Sequence, residues 1–420
     1  MKQISLLFLI SVLSISWLSA QNLDYAGKVI NDLSSEKYQG RGYFKHGDRK
    51  AARYIENEYH KLGLKSWDDY YQNFSFDVNT QHGNHRITID GRLLVPGVDF
   101  VVREYCRSFE GDFNIYRIDT LKPKETTVQE LLALDTSNTF VAVEYAYYVR
   151  DSLLLTTVNN MKLRNVMLIF DGPLKRYMAA SGSTRAARVI WITDNALGKS
   201  PARINARFKS KFVKSYKTGN VIGYIEGSQQ PDSFFVITAH YDHMGRFGRD
   251  VWYPGANDNL SGVAMLLNLA EYYSKPENKP KCSIAFMAFA AEETGLLGSM
   301  NYVQHPFFPL SQVKYVINFD MIADNNPVVY TEVSDNGMRG FEMMKAISSS
   351  NMLFEGFDLS ELSGNSDHYP FAIEGVPAIF FLDHGDAFKV YHTPLDTLYS
   401  ESLTLFPSFF KLAQNFIKQY

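Results

Sequence analysis

Residues 234–242 read Phe-Phe-Val-Ile-Thr-Ala-His-Tyr-Asp, an apolar run rich in β-branched and aromatic residues that breaks off in an imidazole and a carboxylate. A short continuous apolar run of this kind fits a strand buried on both faces, as in a parallel sheet. The same texture recurs on either side of it. Residues 220–227 (NVIGYIEG) precede it; residues 283–289 (SIAFMAF) run toward Glu292 and Glu293; residues 315–320 (YVINFD) end in Asp320; residues 377–384 (PAIFFLDH) come last. Helical spacing marks residues 261–273 and 296–304, and residues 403–420 close the chain as an amphipathic helix. Strands alternating with helices predict an α/β fold with a mostly parallel central sheet flanked by helices.

Upstream, residues 48–62 place Ala51, Ile55, Tyr59 and Leu62 on one helical face, and Gly63 offers a stop. From about residue 70 the pattern changes to short runs bounded by Asn, Gly and Asp, such as FSFDV and HRITI, and continues in TFVAVEYAYYV, NVMLIF and ARVIWIT. These predict strands joined by turns. The expected organisation is an N-terminal part of the catalytic domain over 22–92, a β-rich inserted domain over 93–205, and the main part of the catalytic domain over 206–420.

With 45% hydrophobic residues, the 420-residue chain has enough apolar material for a full core and a further module. A formal net charge of −3 and a pI near 6.4 give no footprint for nucleic acid. Residues 1–20 (MKQISLLFLISVLSISWLSA) combine a basic start, an apolar centre and a small terminal residue, the pattern of a signal peptide. The mature chain is expected to begin near Gln21 and to be exported, periplasmic or extracellular, without a stable membrane span; an uncleaved anchor is the alternative. Cys106 and Cys282 read as separate thiols, the latter a core residue in KCSIAFMAF.

In an open α/β sheet, ligands bind at the carboxyl ends of the strands. His240, Asp242, Glu292, Glu293 and Asp320 all follow strand-like runs, while Asp258 lies in a Gly/Asn/Asp loop before a helix and His392 in a loop after the last strand. Each has a plainer role available: Asp258 as a helix cap, the Glu pair as a solvated surface, the histidines as structural groups. Together they supply imidazole and carboxylate ligands from separate segments, the set a catalytic zinc site needs.

The motifs around these residues resemble those of the zinc aminopeptidase family that includes bacterial leucyl aminopeptidases and aminopeptidase Y. They are NVIGY, AHYDHMG, GANDNLSG, AEETGLLGS, NFDM, SDHYPF, GVPAIFF and YHTPLDT, and the early segment 34–55 is also similar. The resemblance implies two zinc ions bridged by Asp258, one completed by His240 and Asp320, the other by Glu293 and His392. It makes Glu292 the general base and Asp242 the group that orients His240. His243 is left a structural role, and His368 and Tyr369 are placed to touch substrate or steady the developing oxyanion. The implied activity is removal of N-terminal residues from peptides. Three alternatives remain: a one-zinc glutaminyl cyclase, a carboxypeptidase using Arg246 or Arg249 as a clamp, and an inactive zinc-stabilised binding protein. The insertion, where family members carry a protease-associated domain, is expected to act as a lid that narrows access to the cleft.

Overall fold

In a computed structural model, which describes residues 21–151, 156, 163–398 and 402–420, two mixed sheets are joined by an antiparallel ribbon. The expected signal peptide lies outside the described residues. No helix among those described is long and apolar enough to cross a membrane.

The first sheet has at its centre the parallel strands Cys282–Phe289, Gln230–His240, Val313–Phe319 and Ala378–Leu382, in that spatial order. Beyond the exposed start of Gln230–His240, nearly every residue of these runs is buried, so their side chains need no polar alternation. The outer strands are partly antiparallel: Ser210–Ile225 against Cys282–Phe289, and Val328–Val333 against Ala378–Leu382. Apolar runs specify burial but not direction, so the sheet is parallel in its core and mixed at its flanks.

Helices cover both faces. Leu260–Ser274 is buried along most of its length and is capped by Asn259, whose side chain accepts from the Gly262 amide at 3.0 Å. Gly47–Leu62 ends as expected at Gly63, which takes the left-handed conformation (φ +71°) and turns its amide back onto the last helical carbonyls. Phe406–Gln419 packs Phe409, Phe410 and Phe416 into the core.

The second sheet runs in the order Arg92–Leu93, Arg86–Ile89, Arg203–Phe208, Phe109–Arg117, Thr139–Glu144, Asn165–Phe170, Arg188–Thr193 and Phe100–Val102. The run TFVAVEYAYYV does not stay extended: the strand stops at Glu144 and Tyr145–Arg150 is a helix, with Tyr145 stacked on Phe170 at 4.7 Å. Aromatic residues favour strands through packing on neighbours, and here the packing partner is reached from a helix. Tyr71–Gln81 pairs with Ser210–Ile225 along its whole length and carries the chain from one sheet to the other. Both cysteines are buried and free, one in each sheet region.

Candidate metal centre

Local backbone geometry brings the acidic and imidazole groups to one place. His240 is the last residue of its strand. After Phe289 the chain reverses at Ala291, held in the left-handed conformation (φ +58°), and Glu292 and Glu293 follow in a single tight turn. Asp320 directly follows Phe319. Asn259 binds this segment to the Asp258 loop: its amide donates to Phe319 O at 2.9 Å, and its oxygen accepts from the Met321 amide at 3.2 Å. Asn257 Oδ1 and Ser261 Oγ accept from the amides of Ala323 and Ile322, each at 2.9 Å.

Asp258 lies at the middle of the cluster. Its Oδ1 is 3.4 Å from His240 Nε2, which is also 3.3 Å from Asp320 Oδ1. Its Oδ2 faces the other way, 3.1 Å from His392 Nε2, and the same nitrogen is 3.1 Å from Glu293 Oε2. The structure thus brings together all five residues named as ligands, with Asp258 between the two imidazoles. Asp258 Oδ2, Asp320 Oδ1 and His392 Nε2 are buried without a hydrogen-bonding partner. A divalent cation is the partner that such atoms lack, and imidazole with carboxylate is a zinc-type donor set.

The groups behind the ligands fix their orientation. His240 Nδ1 donates to the backbone carbonyl of Asp242 at 3.1 Å, whereas the Asp242 carboxylate is 3.9 Å away. That carboxylate instead accepts from the Glu292 amide at 3.0 Å and the Tyr43 hydroxyl at 2.8 Å. Asp242 therefore orients His240 through its main chain and Glu292 through its side chain. His243, read from sequence as structural, touches the site: its Nδ1 is 2.8 Å from Glu293 Oε1 and 3.5 Å from Asp258 Oδ2. It holds one oxygen of Glu293 while the other faces His392. Ser366 Oγ donates to Asp320 Oδ2 at 2.6 Å, and Asp396 accepts from the amides of Asn257 and Asp258.

His368 is not brought to the cluster. It is fully buried, stacks on Phe380 at 5.0 Å and points Nε2 at Glu332 Oε2, 3.3 Å away. Glu332 also accepts from the Tyr330 hydroxyl and the Asn365 amide, both at 2.8 Å. His368 thus acts behind the cavity wall rather than at its surface, and half-buried Tyr369 is not among the lining residues.

Two residues that the sequence reading did not single out matter here. Arg41 is fully buried, and its guanidinium donates to the carbonyls of Tyr241, Gly255 and Asp258 at 2.9 Å each and to Pro254. Tyr391 lines the cavity beside His392, with ring centroids 3.6 Å apart. Burial, followed by the Asp258, Glu293, Glu292 and Asp320 carboxylates, holds its hydroxyl well above the usual phenol range, so it stays a donor facing the acids.

The cavity above the cluster encloses about 310 Å³. The acids and imidazoles form its floor, and Met321, Tyr330, Phe380, Leu382 and Phe388 its walls. Glu292 reaches it with its side chain 11% exposed, and its Oε2 is 3.8 Å from His240 Nε2. Burial raises this carboxyl well above the usual range; Glu293 and Asp320 add to the shift, while His240 opposes it. For His392, burial opposes charge, yet Glu293 and Asp258 raise it to about 10. Left to themselves, these groups share protons across the cluster; a bound cation takes the protons' place, because its ligands must be deprotonated.

Aminopeptidase YwaD of Bacillus subtilis (strain 168) is 31% identical over 204 residues, covering 46% of this chain and 42% of that protein. A glutamate carboxypeptidase 2 homolog of Caenorhabditis elegans is 29% identical over 220 residues, 45% of this chain and 27% of the relative. The chain thus spans less than half the length of these curated relatives. Among solved structures, a zinc aminopeptidase from Bacillus subtilis superposes with a TM-score of 0.69 at 20% identity, covering 94% of this chain and 93% of that one. An aminopeptidase from Aneurinibacillus sp. strain AM-1 gives 0.64 at 20% identity, covering 95% and 94%. These likenesses are of fold. Residues 220–417, which contain every ligand position described above, match Peptidase family M28.

Proposed function

We propose that the protein is an exported zinc aminopeptidase that holds two zinc ions and removes N-terminal residues from peptides. The observation that carries the reading is Asp258, whose two oxygens each face a separate imidazole and carboxylate pair. His240, Asp258 and Asp320 would hold one ion, and Asp258, Glu293 and His392 the other. Zinc there supplies Lewis acidity, polarising the scissile carbonyl and acidifying water.

The chain's own residues do the rest. Glu292, facing the cavity and held at its backbone by Asp242, accepts a proton from the attacking water and delivers it to the leaving amine. The Tyr391 hydroxyl donates toward the oxygen on which charge develops. The carboxylate-rich floor attracts a free ammonium, and the apolar walls receive the side chain of the first residue. No arginine lines this cavity among the described residues. Arg246 is buried against Glu36 at 2.9 Å and Arg249 lies outside the lining, which disfavours a carboxypeptidase clamp. A one-zinc cyclase keeps a similar ligand set and is separated by zinc content and by the glutaminyl-peptide assay, while the free Glu292 disfavours an inactive binding protein. Export rests on the signal-like residues 1–20.

The test is zinc content measured beside hydrolysis of aminoacyl anilides and of glutaminyl peptides. Two zincs with release of the first residue are expected, and Glu292→Gln should lower turnover by about 10²- to 10⁴-fold while metal stays bound. Pyroglutamate formation with one zinc would overturn the reading. N-terminal sequencing of the secreted protein should begin near Gln21.

A further inference from the structure

The two halves of the centre are held by different parts of the molecule. The His240 and Asp320 half is oriented from within the catalytic sheet region, by the Asp242 carbonyl and by Ser366. The other half is oriented by a short strap of the inserted domain, residues 174–180. His392 Nδ1 donates to the Arg176 carbonyl at 2.8 Å, and the Arg176 amide donates back to the His392 carbonyl at 3.0 Å. Three residues on, the Ala179 amide donates to the Glu293 carbonyl at 3.0 Å.

The strap is itself locked by the Arg176 side chain. Its guanidinium, 4% exposed, donates to the Met244 and Ala179 carbonyls and to Gln81 Oε1, and stands 5.3 Å from the centre of the Tyr253 ring. These acceptors are neutral, so this buried cation is expensive to hold and a poor source of stability by itself. What it does achieve is to fix the carbonyl that selects the His392 tautomer. That carbonyl leaves Nε2 free to face Asp258 and Glu293. His392 is held in the left-handed backbone conformation (φ +58°), which a residue with a side chain keeps only where its surroundings impose it. The paired hydrogen bonds to Arg176 are such an imposition.

We propose that strap 174–180, with Arg176 as its positioning residue, sets how tightly His392 and Glu293 hold their metal and leaves the His240 and Asp320 half unaffected. The insertion is then a working part of one metal site. The inference rests on the reading of these residues as metal ligands.

The test measures cobalt(II) affinity of metal-free protein by competition with a chromophoric chelator, with no activity readout. Two backgrounds isolate the halves: His240→Ala retains the His392 half, and His392→Ala retains the His240 half. Arg176→Ala should weaken the ion in the His240→Ala background by about 10- to 100-fold. In the His392→Ala background the affinity should change less than about threefold, below the roughly 10- to 100-fold that loss of an outer-shell partner costs. Arg176→Lys, which keeps a cation within reach of part of the acceptor set, should restore part of the loss. It also carries the test if the alanine variant does not fold. Equal weakening in both backgrounds, or none in either, overturns the proposal. Failure of the parent chain to bind two ions overturns instead the reading of the ligands.

Discussion

Replacing Arg41 with methionine keeps much of its volume and removes every donor. Four backbone carbonyls, of Tyr241, Pro254, Gly255 and Asp258, then lose their partner in a region where the guanidinium is fully buried. A hydrogen bond to a charged group contributes about 1.5–3 kcal/mol net. The four do not add, because removing the cation also removes its own desolvation cost; what remains is buried carbonyls left without a donor, a loss of about 1–3 kcal/mol. Two of the carbonyls belong to the Gly255 to Asp258 loop, so the loss falls on the segment that carries the central carboxylate. Urea unfolding of the metal-free protein should show a destabilisation of about 1–3 kcal/mol for Arg41→Met and a smaller one for Arg41→Lys. Zinc affinity should fall with it, since Asp258 contacts both halves of the centre. A change below about 1 kcal/mol, the net value of one ordinary hydrogen bond, would refute the assignment of Arg41 as the staple of this loop.

Tyr391→Phe should reduce kcat by about 10²- to 10³-fold with zinc content unchanged, as for loss of one oxyanion donor. Steady-state kinetics beside metal analysis checks this, and loss of metal would show that the ring matters chiefly as support for His392. Asp48 has a proton equilibrium that stability measurements can read. Burial raises it from 3.8 to about 6, against the opposing pull of the Tyr216 and Thr218 hydroxyls at 2.6 and 2.9 Å. The unfolded chain ionises first, so this carboxyl favours folding below about pH 4 and loses up to about 3 kcal/mol as pH rises to about 6. Asp48→Asn should remove that slope, making the variant the more stable of the two at pH 7. Parallel denaturation curves at pH 4.5 and pH 7 would contradict the burial argument.

What the sequence conveyed best was position along strands. An apolar run that ends in His or Asp states both that a strand is buried and where its carboxyl end lies, and His240, Asp320 and the Glu292–Glu293 pair were legible on that ground, whereas Asp258 and His392, in loops, were reached through the likeness of their motifs. Orientation was not. SDHYPF puts His368 beside Asp367 and Ser366, yet only Ser366 reaches a ligand, because the short helix His368–Ile373 carries the imidazole inward to Glu332. Arg41 and Arg176 were invisible for a different reason. Their acceptors are backbone carbonyls, with Gln81 Oε1 added for Arg176, and such carbonyls have no sequence signature; those of Arg41 lie at least 200 residues away. His243 and Tyr391 stand next to motif residues and differ from structural neighbours only in which way they point. Strand direction at the flanks of the first sheet was equally unreadable, since an antiparallel edge and a parallel centre draw on the same residues.

The ribbon of Tyr71–Gln81 and Ser210–Ile225 bears on how the two sheet regions are held together. Its far end is fastened to the region of the second sheet by Asn79, which donates to the carbonyls of Glu104 and Cys106 at 2.7 and 3.0 Å, and by Gln81, which donates to Val102 O at 2.8 Å. With the strap at 174–180 as a further tie, the two sheet regions are joined at separated points, and a hinge needs a single line about which to turn. The two regions are therefore braced against turning on one another, and the strap that meets His392 and Glu293 is carried by a frame rather than by a free loop.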